Sequence, residues 1–367
     1  MKWGLLRRFD WVSLASALLL STLGLIVLYS SAIKSIQVTN QLDTSRQIIY
    51  VLVGLGLMVF MSRLDYRVLK NYNYILYGLM LALLFAVDIF GATRLGATRW
   101  INIGFFQFQP SEFAKLCLIV VLASFFARNY DRSDHLRYLI YSFMFLVVPI
   151  GLVMAQPDLG TALVMIFIWL CMALATRVKK RWFVAFGALF ISLFPIILPR
   201  LQTYQRDRIL TFFNPTANPT TTGYNVNQAI IAVGSGGWLG RGLGAGSQSQ
   251  GNFLPSQHTD FIFAVLAEKL GFVGSALVII LFLILTARIL LLSIASADRF
   301  GSFLAIGIAA MFLFHFFVNV GMNLGLLPVT GIPLPFLSAG GTSMLVSMIA
   351  LGVVQSIYLH RKKRTLN

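Results

Sequence analysis

The sequence predicts an all-α polytopic membrane protein: a single integral membrane domain over residues 1–367, with about ten transmembrane helices, both termini cytoplasmic, and one large outer loop at 200–260. Three observations carry this reading. The 367 residues are 58% hydrophobic and 11% charged, with a mean hydropathy of +0.81, outside the mix of a soluble globular chain. Ten apolar runs suit a crossing of about 30 Å of hydrocarbon at about 1.5 Å per residue. Lys and Arg are dense in alternate gaps between those runs, as cytoplasmic loops require.

The runs fall near 11–33, 47–62, 72–90, 109–127, 137–155, 159–176, 182–199, 261–296, 303–326 and 338–360, the second being short. Hydrocarbon offers the backbone no partner, so runs this uniform form helices, whereas barrel strands would read as short alternating segments. The first run follows Lys2, Arg7 and Arg8 as a signal peptide would, but its apolar stretch is too long for an h-region, so it is a retained span. The run at 261–296 would reach about 54 Å as a straight helix. It must bend, and Gly271 and Gly274 are the break points. Within the outer loop, Tyr224 to Ala232 reads as a short amphipathic helix and 234–251 as glycine-rich loop. That loop lacks a Gly-Lys-Ser/Thr ending and a preceding strand, so it is not a phosphate loop.

With the N-terminus inside, the inner segments hold nineteen of the 29 Lys and Arg: Lys2, Arg7, Arg8, Arg63, Arg67, Lys70, Arg128, Arg132, Arg137, Arg177, Lys179, Lys180, Arg181, Arg288, Arg299 and Arg361 to Arg364. The outer segments hold eight: Lys34, Arg46, Arg94, Arg99, Arg200, Arg206, Arg208 and Arg241. The net charge of +17 is therefore a topology signal and a contact with anionic membrane lipids, with no nucleic-acid partner implied. Cys117 and Cys171 fall within apolar runs, where thiols act as small apolar groups, and suggest neither a disulfide nor a metal site.

Only twelve residues are acidic, and three of them recur in one setting. Glu112, Asp158 and Asp260 each sit at the outer end of a helix that runs inward. Proline followed by an acid is also what a well-capped helix start looks like, yet three coincident cases on one side point to a site. Lys115 is three residues past Glu112 and shares its face; the two form either part of that site or a structural ion pair. Asp260 and Glu268, eight apart, share a face of the half-helix before the break. Glu268 is either a second polar group of the site or a buried partner for a cation such as Lys115. His258 reads as a hydrogen-bonded neighbour, because no second His or Cys lies near enough to share a metal.

At these residues the chain resembles the SEDS proteins (shape, elongation, division and sporulation), and the RodA branch more than the FtsW branch. The resemblance spans nearly the whole chain. It rests on Phe108-Gln109-Pro110-Ser111-Glu112-Phe113-Ala114-Lys115, on Gln156-Pro157-Asp158-Leu159-Gly160-Thr161, and on Tyr204-Gln205-Arg206-Asp207-Arg208 with Gly223-Tyr224. It continues through Gly234-Ser235-Gly236-Gly237, Ser247-Gln248-Ser249-Gln250, His258-Thr259-Asp260-Phe261-Ile262-Phe263-Ala264-Val265 and Gly331-Ile332-Pro333-Leu334-Pro335-Phe336. Three positions depart from the family's pattern: Ser256 in place of Glu, Lys269 in place of a second Glu, and Ala339 in place of Tyr.

The resemblance implies a bacterial peptidoglycan glycosyltransferase of the cytoplasmic membrane that polymerises lipid II into glycan strands at its outer face, for elongation and rod shape. It also implies a class B penicillin-binding protein as partner. Making a β-1,4 bond from an α-linked lipid diphosphate inverts the anomeric carbon, which needs a base at the acceptor hydroxyl and cationic stabilisation of the departing diphosphate. Asp260 is the expected base. Arg206, Arg208, Arg99 and Arg241 lie on the outer side, where they meet either the diphosphate or lipid headgroups. A divalent cation, Mg or Mn, held by Asp260 is the alternative source of positive charge, although no ligand cluster in the sequence demands it. The competing reading is a flippase or transporter of a lipid-linked cell-wall precursor, because intramembrane acids and lysines also mark transport pathways. The outer depth of all three acids and the lack of two similar halves favour the enzyme.

Overall fold

The computed structural model describes residues 9–361 apart from 33–37, 95–96, 104–105, 198, 200–201, 214–221, 245, 251–252 and 255. Of the charges counted above, Lys2, Arg7, Arg8, Lys34, Arg200, Lys362, Lys363 and Arg364 lie outside the described residues. The chain folds as α1 Trp11–Ala32, α2 Val38–Arg63, α3 Val68–Asn71, α4 Asn73–Phe90, then strands β1 Ala92–Arg94, β2 Ala97–Ile103 and β3 Phe106–Phe108. There follow α5 Pro110–Asn129, α6 Leu136–Ala155, α7 Leu159–Leu174, α8 Lys180–Ile197, α9 Thr203–Phe213, α10 Thr222–Ser235, α11 Ser247–Gln250, α12 Ile262–Ala295, α13 Arg299–Asn323 and α14 Gly341–Leu359.

Each of the ten apolar runs is a helix. Among the described residues eight helices are long and apolar enough to cross a membrane, and α7 is a shorter apolar one. Two elements were not legible as apolar runs. β1, β2 and β3 form a small antiparallel meander between α4 and α5, too short to register as a span. α9 carries Gln205, Arg206, Asp207 and Arg208 and is polar on average, so hydropathy alone hides it. The amphipathic helix expected at 224–232 appears as α10, longer at both ends.

The described residues group into two compact units, one of Met1–Arg63, Arg208–Ile289 and Phe312–Leu359, the other of Leu64–Asp207, Leu290–Met311 and His360–Asn367. In the first, α2 packs along α14. The α2 side chain Gln47 donates to the Ser338 carbonyl at 3.2 Å and accepts from the Gly340 N–H at 3.2 Å, which fixes the loop before α14.

In the second unit α5 is the core. Its stretch from Leu116 to Ala123 is apolar on every side, so it belongs inside, and most of the helix is buried against α4, α6 and α7. By contrast α4 and α6 bury only a few of their side chains, as lipid-facing helices do. At the inner end Asp298 ties the helix starts together: it accepts from Tyr66 Oη at 3.0 Å, Arg67 Nε at 2.9 Å and the Gly301 N–H at 2.8 Å. Burial pushes the Asp298 carboxyl up, but the Gly301 N–H, Arg67 and Tyr66 outweigh it and hold the group below its ordinary 3.8.

Candidate active site

The second unit contains two buried ionic features. Pro110 opens α5 and Glu112 lies in its first turn. Lys115 Nζ donates to Glu112 Oε1 at 2.7 Å, and the two residues are only 1% and 3% exposed. Nearby in the chain, Asp158 is the N-cap of α7, accepting from the Thr161 N–H at 3.2 Å and from Thr161 Oγ1 at 2.8 Å. Arg99, carried on β2, reaches the same turn. It donates to the carbonyls of Gln156 and Pro157, and its Nη1 stands 3.6 Å from Asp158 Oδ1.

The first unit contains the Asp260 turn. Asp260 is half-buried and lies in the turn before α12 rather than on the helix, so it does not share a helical face with Glu268 as expected. The turn is held from several directions. The Thr259 and Phe261 N–H groups donate to the Ser256 carbonyl, Ser338 Oγ donates to the Thr259 carbonyl at 2.7 Å, and the Ala339 N–H donates to the His258 carbonyl at 2.8 Å. His258 Nε2 and Gln257 Nε2 are 3.5 Å apart. Two of the departures from the family's pattern, Ser256 and Ala339, therefore support this turn through main-chain atoms, Ser256 from a left-handed backbone at φ +52.

The carboxylate of Asp260 and the guanidinium of Arg208 converge beside Gly331. That glycine has φ +74, and a Cβ built on it would stand 3.4 Å from Arg208 Nη1 and 3.5 Å from Asp260 Oδ2. The left-handed backbone there favours glycine. Arg208 also borders a cleft with Thr211, Asn227, Ile230 and Leu327. Arg206, two residues earlier on α9, is exposed. Arg241 is exposed as well, with Nε donating to the Ser235 carbonyl at 3.0 Å.

Behind the turn, α12 breaks at Gly271, where φ is +65 and ψ is −161; Gly274 continues as helix. A break frees main-chain groups that lipid cannot satisfy. The glycine-rich segment satisfies them. Arg241 N–H donates to the Glu268 carbonyl at 2.9 Å, and Gly242 N–H to the Lys269 carbonyl at 3.1 Å. In return, Phe272 N–H donates to the Gly237 carbonyl at 2.8 Å, and Val273 N–H to the Trp238 carbonyl at 3.1 Å. A Cβ on Gly240 would stand 2.1 Å from the Lys269 carbonyl oxygen. The glycines of this segment thus serve close backbone approach.

Glu268 is fully buried, and its carboxylate accepts from the Gln248 and Ser249 N–H groups at 2.8 and 3.0 Å. Lys269, also fully buried, donates to Ser30 Oγ and Ser31 Oγ of α1 at 2.9 and 2.7 Å. Two further groups escaped the reading of the sequence. Asn319 and Asn323 are fully buried and touch the Asp260 turn through its main chain. Their signal was present: two asparagines four apart on one face of an apolar helix.

A sequence model described as "cell cycle protein", covering FtsW, RodA and SpoVE, matches residues 10–363. The chain belongs to that family. It is 37% identical over 355 residues to the peptidoglycan glycosyltransferase MrdB of Escherichia coli K12, covering 96% of both chains. It is 35% identical over 356 residues to the stage V sporulation protein E of Bacillus subtilis, covering 95% of this chain and 96% of the relative. Among solved structures, the rod shape determining protein RodA of Thermus thermophilus matches with a TM-score of 0.71 at 28% identity, over 97% of this chain and 98% of that one. A chain from a peptidoglycan synthase complex that coordinates polymerization and crosslinking matches with a TM-score of 0.79 at 29% identity, over 95% of this chain and 97% of that one.

Proposed function

We propose that this multi-pass membrane protein is the glycosyltransferase that polymerises lipid II at the outer face of the cytoplasmic membrane, with Asp260 as general base and Arg208 on the departing diphosphate. The observation that carries this is the convergence of the Asp260 carboxylate and the Arg208 guanidinium beside Gly331. A base and a cation around one small space are what an inverting sugar transfer requires. Asp260 accepts the proton of the attacking acceptor hydroxyl as the new glycosidic bond forms at the anomeric carbon. Arg208 neutralises charge as the bond to the lipid diphosphate breaks.

Relatives named peptidoglycan glycosyltransferases support the reaction, and their near-complete coverage of this chain supports carrying it over. The membership of one structural relative in a synthase complex that coordinates polymerization and crosslinking supports a crosslinking partner, which we assign to a class B penicillin-binding protein. Among the described residues no three His, Cys, Asp or Glu side chains form a metal cluster. A Mg or Mn ion would therefore be held by Asp260 together with phosphate oxygens, supplying further charge neutralisation on the diphosphate.

The purified full-length chain given lipid II in detergent is expected to yield glycan polymer. Movement of lipid II across vesicles without any polymer would assign the chain to the flippase class instead.

A further inference from the structure

We infer that Asn319 and Asn323 are positioning residues for Asp260, a role that rests on the reading of Asp260 as the base. Both carboxamides are fully buried in a helix that is otherwise strongly apolar, where a polar side chain is costly unless its groups are paired. Asn323 Nδ2 donates within the helix to the Asn319 carbonyl at 2.8 Å and lies 3.3 Å from Asn319 Oδ1, and both side chains share one point outside it. Asn319 Nδ2 donates to the Asp260 carbonyl at 3.0 Å, and Asn323 Nδ2 donates to the same oxygen at 3.1 Å. One main-chain carbonyl therefore takes two hydrogen bonds from one helix face.

The remaining bonds join that point to its surroundings. Asn319 Nδ2 also donates to the Ile332 carbonyl at 2.8 Å, the residue after Gly331, so the two loops that meet at the site share one anchor. Asn323 Oδ1 accepts from the Ala264 N–H at 3.1 Å. This N–H lies in the first turn of α12 and has no partner within the helix. Asn323 thus caps the half-helix from outside while holding the residue two before its start. The main chain of Asp260 is thereby held by side chains of a neighbouring helix.

The asparagines touch no atom of the Asp260 side chain in these bonds, so their effect is on where the carboxylate stands. A base misplaced by about 1 Å costs on the order of 10²-fold in rate, while substrate affinity contributed elsewhere persists. Asn319→Ala and Asn323→Ala are therefore expected to lower kcat for lipid II polymerisation by about 10- to 10²-fold, with KM held within about twofold. Asp260→Glu, which displaces the carboxylate by one methylene, supplies the second readout. If the asparagines act through Asp260, Asn323→Ala added to Asp260→Glu costs much less than the product of the two separate losses.

Losses that multiply, or a raised KM with kcat unchanged, would overturn the positioning role. Wild-type polymerisation by Asp260→Asn would instead overturn the reading of Asp260 as base, which separates the two failures. Should Asn323→Ala not accumulate as folded protein, Asn319→Ala, which leaves the Ala264 cap in place, carries the same measurements.

Discussion

At the scale of single residues, two acids with similar sequence settings have different surroundings. The Asp260 side chain faces a space shared with Arg208, while Glu112 is bound at 2.7 Å to Lys115 within a packed helix. Asp260→Asn preserves size and is expected to leave a folded, membrane-inserted protein whose polymerisation falls by about 10² to 10⁴; lipid II turnover beside a melting curve checks both halves. Glu112→Gln and Lys115→Met each strand a buried charge or its partner, which typically costs about 3–5 kcal/mol. These variants are expected to lower the melting temperature in detergent together with activity, and a drop in activity alone would show that the pair acts on substrate. The positions of Asp260 and of the Glu112–Lys115 pair were legible because charge is rare in an apolar chain. The engagement of Arg99 with Asp158 was not, because it depends on a small sheet whose pairing no hydropathy pattern reports.

At the scale of elements, the bend in α12 was legible from length alone, since a straight helix would overshoot the hydrocarbon. Its means of support was hidden: main-chain pairing with Gly237, Trp238, Arg241 and Gly242 leaves no mark on side-chain pattern beyond a run of glycine. Gly240→Ala would place a methyl against the Lys269 carbonyl with no room to yield. It is expected to lower both stability and polymerisation, and a surface-only role for the segment would show as an unchanged melting curve. At the other end of the helices, the Asp298 cluster predicts a pH effect. Because its carboxyl titrates below 3.8 when folded, its charge stabilises the fold above that pH and ceases to do so as pH falls through the depressed value. Asp298→Asn is expected to melt earlier than the natural protein at neutral pH, with the gap closing in acid; a gap that persists once the carboxyl of the natural protein is protonated would point to lost packing instead.

At the scale of the whole molecule, composition and the alternation of Lys and Arg gave the helical membrane class and its orientation, and each apolar run became a helix. The polar α9 and the meander between α4 and α5 lay outside what membrane-length windows can register. The orientation has a direct check. Cysteines at Arg132 or Lys179 are expected to resist a membrane-impermeant thiol reagent in intact cells, while one at Ser247 reacts. Labelling at Lys179 would invert the topology and put Asp260 on the side where lipid II polymerisation does not occur.

The break at Gly271 also bears on how the protein meets bilayers of different thickness. Unbroken, the 34 residues of α12 would extend about 51 Å and would have to tilt steeply in a layer about 30 Å deep. The piece before Gly271 is enclosed by protein on nearly every side, whereas Phe272 and Val273 just beyond it are more than half exposed. Only the later piece answers to the lipid. The earlier piece and the turn that carries Asp260 at its head are held by protein instead. A thickness mismatch therefore falls first on the piece that meets the lipid, away from the Asp260 turn.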